Sequence, residues 1–494
     1  MTNARLVLDA AFAVAPVNRR LFGSFVEHMG RCVYTGIYEP GHPLADEAGL
    51  RKDVVSLVSE LGVSTVRYPG GNFVSNYRWE DGVGPKEGRP VRTDLAWRSI
   101  ETNQFGLDEF VDWSRLAGVE PMMSVNLGTR GVAEAVDVLE YCNGAPGTQL
   151  ADWRVANGHR DPHAIRLWCL GNEMDGPWQI GHKTAEEYGR LAQETGKAMK
   201  RLDPTIELVA CGSSNSGMPT FGAWESTVLE HCFDEVDYIS AHAYYEQRGD
   251  DLASYLASAV DMDRFIEAVT ATADAVAARR RSRRRLRVSF DEWNVWYQDE
   301  FDGENSLELR AAPEIIEDDF SATDAVVVGG LLVSLLKHAD RVGVACLAQL
   351  VNVIAPIRTR PGGLAWRQSI FHPFAMTAAA AHGTVLQAAI ESPSMGTAQF
   401  GEIPVLDAVA VADDGDGQVA VFAVNRSPQD PVHLDIALQH LGEPRFATVE
   451  TLGLGGARFT GDVPAPVATR VPVDGGHVVI DLPAGSWSRC LIRR

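Results

Sequence analysis

An α/β fold, a (β/α)8 barrel followed by an all-β sandwich, is predicted by three features of the sequence. Between residues 16 and 382, short apolar runs alternate with helical periodicity eight times. From residue 383 the helical spacing stops and period-two alternation takes over. Two glutamates, Glu173 in Gly171-Asn172-Glu173 and Glu292 in Asp291-Glu292-Trp293, each close an apolar run. A carboxylate at the end of a buried strand is costly unless it is paired or functional.

In chain order, the barrel strands are expected at residues 22–27, 63–68, 120–126, 165–173, 206–212, 236–242, 286–292 and 342–350. Helices are expected at 50–61, 107–116, 132–142, 185–202, 224–233, 261–279, 322–337 and 369–381. The first helix carries Val54, Val55, Leu57, Val58 and Leu61 on one face, and Thr184 before Ala185-Glu186-Glu187 reads as an N-cap with an acidic first turn. Strands that are apolar throughout and separated by helices indicate a parallel sheet. Eight such cycles over roughly 360 residues fit a barrel with enlarged loops. An open doubly wound sheet would call for a glycine-rich turn after its first strand. Glu27-His28-Met29-Gly30-Arg31 stands there instead, and no G-x-G-x-x-G opens a helix.

The sandwich is expected to span residues 383–494, with 1–15 adding a strand to it. Val409 and Val411 face Val419 and Val421 across Asp413-Asp414-Gly415-Asp416-Gly417, the pattern of a hairpin. That acidic cluster lacks the downstream glutamate of a calcium loop, so it is read as a turn. Near the start, Ala13-Val14-Ala15 imitates a signal cleavage site weakly. Asp9 interrupts the apolar stretch and Arg19-Arg20 follow, so a first folded strand is the preferred reading.

With 494 residues and a formal charge of −22, the chain repels nucleic acid and anionic membrane alike, and neither is expected as a partner. The longest apolar run, residues 325–336, falls short of the ~20 residues of a membrane span. Seven scattered cysteines form no C-x-x-C pair and suit a reducing compartment. The run Arg279-Arg280-Arg281-Ser282-Arg283-Arg284-Arg285 falls between a helix and the seventh strand. It is read as a solvated helix end on the face away from the chemistry rather than as a nucleic-acid patch.

Barrel sites form where strands end. Polar residues at those ends are Glu27 and His28, Arg67 with Asn72, Asn126, Asn172 and Glu173, His242 and Tyr244, Glu292, and Gln349 with Asn352. His242 and Tyr244 share a face if their strand continues. Glu173 and Glu292 together form the carboxyl pair that glycoside hydrolysis requires. Trp97, Trp178 and Trp296 are candidate walls or stacking platforms for sugar rings, with core packing as the alternative. No H-E-x-x-H or clustered histidine motif appears, so neither metal nor cofactor is expected.

The residues resemble a known family. Phe25-Val26-Glu27-His28-Met29-Gly30, Arg67-Tyr68-Pro69-Gly70-Gly71-Asn72, Gly171-Asn172-Glu173-Met174-Asp175-Gly176-Pro177-Trp178, His242-Ala243-Tyr244-Tyr245 and Asp291-Glu292-Trp293-Asn294-Val295-Trp296 follow the order of the retaining α-L-arabinofuranosidases of glycoside hydrolase family 51. The resemblance spans nearly the whole chain. It implies Glu173 as general acid/base and Glu292 as nucleophile. It implies Glu27, Asn72, Asn172 and Gln349 as hydrogen-bonding partners of the furanose, and His242 and Tyr244 as groups that position the two carboxyls. Arg67 is implied as the cation that keeps Glu292 ionised. The implied substrate is an arabinose-containing oligosaccharide or polysaccharide, and the implied state is a cytoplasmic homo-oligomer, a hexamer by family habit. Rivals are another retaining glycosidase of the same barrel clan, such as a β-xylosidase or endo-glucanase, and a non-catalytic carbohydrate-binding protein. Preference for the leaving group is expected in the loops 79–98 and 297–316.

Overall fold

The computed structural model describes residues 2–493 apart from 414, 416 and 443; Asp414 and Asp416 of the acidic turn therefore lie outside the described residues. Eight parallel strands close into a barrel: β1 (Gly23–Phe25), β2 (Thr65–Tyr68), β3 (Glu120–Ser124), β4 (Leu167–Leu170), β5 (Glu207–Ala210), β6 (Tyr238–Tyr245), β7 (Arg287–Val295) and β8 (Val342–Leu347). β8 pairs with both β7 and β1, which completes the ring. The barrel interior is filled, not hollow. Phe25, Met122, Leu167, Cys169, Val209, Tyr238, Val344 and Cys346 form one buried cluster drawn from several strands.

Helices cover the outside. Lys52–Leu61 buries Val54, Leu57, Val58 and Leu61 of the expected face, while Val55 at its margin is half-buried. Ala185–Leu202 opens with the expected cap: Thr184 Oγ1 accepts from the Glu187 N–H at 3.3 Å, and the Glu187 carboxylate accepts from the Thr184 N–H at 3.0 Å. A helix at Gln149–Ala156 was not expected; its apolar positions follow no single face. The arginine run ends the helix Ser258–Arg279 and behaves as a solvated end. Arg279 pairs with Glu230, Arg280 with Asp234, and Arg284 donates to the carbonyls of Phe233, Asp234 and Val236.

The sheet-rich C-terminal part takes in the N-terminal strand, as the change in texture suggests. Thr2–Pro16 pairs in parallel with Val432–Gln439 and antiparallel with Thr384–Glu391. Nine of its strands form one closed hydrogen-bonded ring, and the hairpin Ser394–Thr397 with Gly401–Pro404 forms a separate two-stranded sheet; closure removes the edges of the ring. The expected hairpin is Leu406–Asp413 paired with Gln418–Asn425. The strands Thr384–Glu391 and Thr469–Asp474 were not expected; both expose alternate residues, and the second contains Pro472. Helix Ala322–Lys337 packs on this ring. The Trp487 indole lies flat against Gly329, where a Cβ would overlap the ring.

All seven cysteines are free and buried. No helix among the described residues is long and apolar enough to cross a membrane.

Candidate active site

One irregularity of β7 sets the position of Glu292. Ser289 pairs with Ser240 and Glu292 with His242, so three steps of β7 match two of β6; β8 records the same shift, from Phe290–Ala345 to Trp293–Leu347. This is a β-bulge, which can re-aim a side chain next to a site. Its consequence is that Asp291 and Glu292, neighbours in sequence, both reach the barrel interior. Asp291 sits deeper, bonded to the Ser289 hydroxyl and 3.7 Å from Cys169 Sγ. Glu292 stands above it at the end of the barrel.

The Arg67 guanidinium, from β2, lies between them. Its Nη1 donates to Glu292 Oε1 at 2.7 Å, its Nη2 to Asn172 Oδ1 at 2.7 Å, and its Nε is 3.9 Å from Asp291. Its planar face covers the Phe25 ring at 4.9 Å. Deleting this buried cation would leave two buried carboxylates uncompensated, at a cost of about 3–5 kcal/mol.

Glu292 Oε2 accepts from the Tyr244 hydroxyl at 2.7 Å and lies 3.6 Å from His242 Nδ1. Burial alone would raise the Glu292 pKa. The His242 and Arg67 charges and the hydrogen bonds from Tyr244 and Arg67 overcome it, and the carboxyl is held below its ordinary value. Burial and the neighbouring Glu292 push the Tyr244 phenol well above its usual range, so it stays the donor. One expected result follows. Tyr244→Phe removes a bond that favours the ionised form, so the Glu292 pKa rises and the acidic limb of the kcat/KM profile moves to higher pH. An acidic limb that stays in place would mean that Glu292 does not set it.

Glu173 lies three residues beyond the end of β4, not on the strand as expected. Gly171 turns the chain, and Glu173 itself has φ of 43°, a left-handed conformation that costs about 1–3 kcal/mol at a non-glycine residue. Its side chain is held from two sides. His242 Nδ1 meets Oε1 at 2.9 Å, and the Trp178 indole N–H donates to Oε2 at 2.6 Å. Burial favours neutral His242, but the adjoining Glu292 and Glu173 prevail and raise its pKa. Glu173, His242 and Glu292 each place a ligand atom within 4.8 Å of the others, and they are the one such cluster among the described residues. A metal ion there would have to displace Trp178, Tyr244 and Arg67 from the carboxylate oxygens and share the space with the Arg67 cation.

A cavity of about 620 Å³ opens over this pair. At its closed end Glu27 is only 2% exposed. Glu27 Oε1 accepts from the Phe73 N–H and the Trp97 indole, both at 2.9 Å, and Oε2 from the Gln349 amide at 3.1 Å. Burial outweighs these donors and pushes Glu27 up to about 8. Gly71 leaves room between the two carboxyls: a Cβ there would stand 3.1 Å from Glu292 Oε1 and 3.3 Å from Glu27 Oε2, so one of them would have to shift by a few tenths of an ångström.

Of the residues expected at the site, Glu27, Asn72, Trp97, Glu173, Trp178, Tyr244, Glu292, Trp296 and Gln349 line the cavity. Arg67, Asn172 and His242 stand behind them. Asn172 is bonded on both sides, to Arg67 and, from Nδ2, to Asn72 Oδ1 at 3.2 Å. Trp178 is 49% exposed, whereas Trp296 packs edge-on against Tyr244. Three other strand-end residues serve the scaffold. His28 bonds Glu101 and Tyr68, Asn126 closes its own loop, and Asn352 braces Arg31 and Thr359.

Sequence reasoning missed Asp291 as a partner of Arg67, the Phe73 N–H, and Asp94, which accepts from the Trp97 backbone at 2.8 Å and so aims that indole. It also missed Gln399 and Phe400 at the open end of the cavity. The loop 297–316 does line the cavity, through Gln298, Phe301, Glu304 and Ile316; the loop 79–98 reaches it only through Trp97, at the closed end.

Known proteins share this arrangement of fold and sequence. Residues 57–263 match the α-L-arabinofuranosidase 1 domain, and residues 291–486 the α-L-arabinofuranosidase C-terminal domain. An intracellular exo-α-(1→5)-L-arabinofuranosidase of Streptomyces lividans is 59% identical over 444 residues, which are 89% of this chain and 67% of that one. An exo-α-(1→6)-L-arabinofuranosidase of Bifidobacterium longum is 58% identical over 437 residues, 86% of this chain and 84% of that one. A solved family 51 α-L-arabinofuranosidase from Bifidobacterium longum superposes with a TM-score of 0.92 at 47% identity, covering all of both chains. The chain belongs to the α-L-arabinofuranosidases of glycoside hydrolase family 51.

Proposed function

We propose that this glycoside hydrolase removes terminal, non-reducing α-L-arabinofuranosyl units from arabinose-containing glycans by double displacement, with Glu292 as nucleophile and Glu173 as acid/base. The observation that carries the reading is the carboxyl pair itself. Oxygens of Glu173 and Glu292 approach within 4.8 Å, which supports the close carboxyl spacing of a retaining mechanism over the roughly 6.5–9.5 Å of an inverting one. Their partners divide the labour. Arg67, Tyr244 and His242 keep Glu292 ionised, while Glu173 faces the open cleft beside Trp178.

In the first step, a Glu292 oxygen attacks the anomeric carbon as Glu173 gives its proton to the departing glycosidic oxygen, which leaves a β-linked glycosyl-enzyme and an alcohol. In the second step, Glu173 takes a proton from water, and the water oxygen attacks the same carbon from the α face and frees Glu292. Glu27, Asn72 and Gln349 at the closed end are the partners for the furanose hydroxyls. The burial of Glu27 at that end, beneath Trp97 and Gln349, supports exo action, because a buried end suits a chain terminus rather than a continuing chain. Asn172, braced by Arg67, acts through Asn72. The relatives' names support the arabinofuranosyl unit over the xylosyl or glucosyl alternatives, and their two linkages leave α-1,5 and α-1,6 bonds both within the reading. The word intracellular in the Streptomyces name supports a cytoplasmic enzyme, and a homo-oligomer of the family's hexameric kind belongs to the same reading. So does a domain division at residues 382 and 383, supported by the pairing of Thr384–Glu391 with the N-terminal strand.

Proton NMR of the hydrolysis of 4-nitrophenyl α-L-arabinofuranoside tests this directly. The first-formed sugar is expected to be α-arabinofuranose, with the β form appearing only by later mutarotation. A β sugar formed first, or faster release from the β-D-xylopyranoside, would overturn the proposal.

A further inference from the structure

The cavity does not end at the two carboxyls. It continues to a mouth where Asn215, Ser216 and Arg248 of the barrel face Gln399 and Phe400. The last two form the turn of a hairpin, Ser394–Thr397 with Gly401–Pro404, that extends from the accessory β-ring toward the catalytic barrel. The hairpin is fixed from both sides of its turn. The Gln399 N–H donates to Ser254 Oγ at 3.2 Å, and the Phe400 N–H donates to Thr397 Oγ1 at 3.0 Å. The Arg264 guanidinium lies 5.8 Å from the Phe400 ring centroid and reaches the Phe400 carbonyl at 3.5 Å. Ser254 and Arg264 belong to the two helices that follow β6, the strand of His242 and Tyr244. These anchors use the backbone of Gln399 and one face of Phe400. The Gln399 side-chain amide has no hydrogen-bond partner among the described residues and is exposed at the mouth.

We propose that the hairpin turn, through Gln399 and Phe400, builds the leaving-group subsite and holds the sugar to which the departing arabinofuranose is attached. The inference rests on the reading of Glu173 and Glu292 as a hydrolytic pair. With the terminal furanose at the closed end, beside Glu27, the glycosidic oxygen lies at Glu173, and the next sugar extends to the mouth. An aromatic face beside amide donors is the chemistry that recognises a sugar ring: Phe400 takes its C–H face, the free Gln399 amide bonds its hydroxyls, and Asn215, whose Oδ1 already accepts from the Gly217 N–H at 2.9 Å, adds its Nδ2 donor. The lining charge favours a neutral ring over an acidic one, with Arg264 held behind Phe400. Arg248 is the one basic side chain among the described lining residues, against Glu246, Asp261 and Glu304. An acidic sugar would meet net repulsion there.

The test compares two substrates whose leaving groups are both alcohols but differ in reach. Methyl α-L-arabinofuranoside fills the closed end and stops at the glycosidic oxygen. α-1,5-Arabinotriose extends to the mouth. For Phe400→Ala and for Gln399→Ala/Phe400→Ala, kcat/KM on the triose is expected to fall about tenfold, the scale of one aromatic contact, while kcat/KM on the methyl glycoside stays within about twofold of the parent. Phe400→Tyr is expected to keep triose activity. Equal losses on both substrates would overturn the inference, because a merely structural hairpin would damage both alike; so would unchanged triose hydrolysis. If the parent enzyme cleaved neither substrate, the proposed activity itself would fall. The inference fails alone only when the parent is active and the variants do not discriminate.

Discussion

Replacing Glu292 with alanine is expected to lower kcat/KM on an aryl α-L-arabinofuranoside by about 10⁴-fold or more, the scale on which loss of a covalent nucleophile acts. Substrate binding is expected to persist, because Glu27, Asn72, Gln349 and Trp97 at the closed end do not depend on the Glu292 side chain. Arg67 keeps Asp291 and Asn172 beside it, and the truncated side chain leaves a small space flanked by Arg67, Tyr244 and His242. That space suits a small anion. Azide is expected to enter it and attack the anomeric carbon from the face Glu292 occupied, restoring turnover on an activated substrate and giving the inverted, β-configured glycosyl azide. Calorimetric titration with an arabino-oligosaccharide and NMR of the azide product read the two halves of the prediction. Residual hydrolysis within tenfold of the parent would remove Glu292 from the nucleophile's role. An α-configured azide would put the nucleophile on the other face.

The sequence carries the fold because the barrel's period is long and repeated. Eight apolar runs, each followed by a helical stretch, leave few architectures open, and Glu173 and Glu292 stand out because charge interrupts the runs at corresponding places. What the pattern cannot supply is geometry finer than the repeat. Apolar alternation carried the fourth strand through residue 173, whereas β4 ends at Leu170 and the chain turns at Gly171. The β7 bulge is equally hidden, since period-two counting would turn Asp291 and Glu292 to opposite faces, and only the pairing with β6 and β8 reveals the extra residue. Trp97 arrives on the short hairpin Arg92–Asp94 with Ser99–Glu101, inside a loop without periodicity. Gln399 and Phe400 are further still from a barrel strand in sequence, and nothing in a run of small and polar residues marks them as neighbours of the site. The strand-end charges Arg67, Glu173 and Glu292 and the loop tryptophans Trp97 and Trp178 were therefore legible as residue types, whereas Asp291, Asp94, Gln399 and Phe400 were not.

Glu173→Ala separates acid from base through the choice of leaving group. In the first step Glu173 protonates the glycosidic oxygen, which matters in proportion to the basicity of what departs. On an arabino-oligosaccharide, whose leaving group is an alcohol, kcat/KM is expected to fall by about 10²–10⁴-fold, the usual worth of a positioned acid. On a 2,4-dinitrophenyl arabinofuranoside the leaving group needs little help, so kcat/KM is expected to stay near the parent's. The second step still lacks its base, and kcat falls on either substrate. Glycosyl-enzyme then accumulates, so KM for the dinitrophenyl substrate is expected to drop together with kcat, a combination that loss of binding cannot produce. Azide needs no base. It is expected to restore kcat by attacking the accumulated intermediate from the face water uses, and the product is the α-configured glycosyl azide, opposite to that from Glu292→Ala. The Trp178 indole and His242 Nδ1, which bond the two Glu173 oxygens, line the space the azide would fill. A uniform loss on both substrates, with KM unchanged and no response to azide, would mean that Glu173 supports the site without transferring a proton.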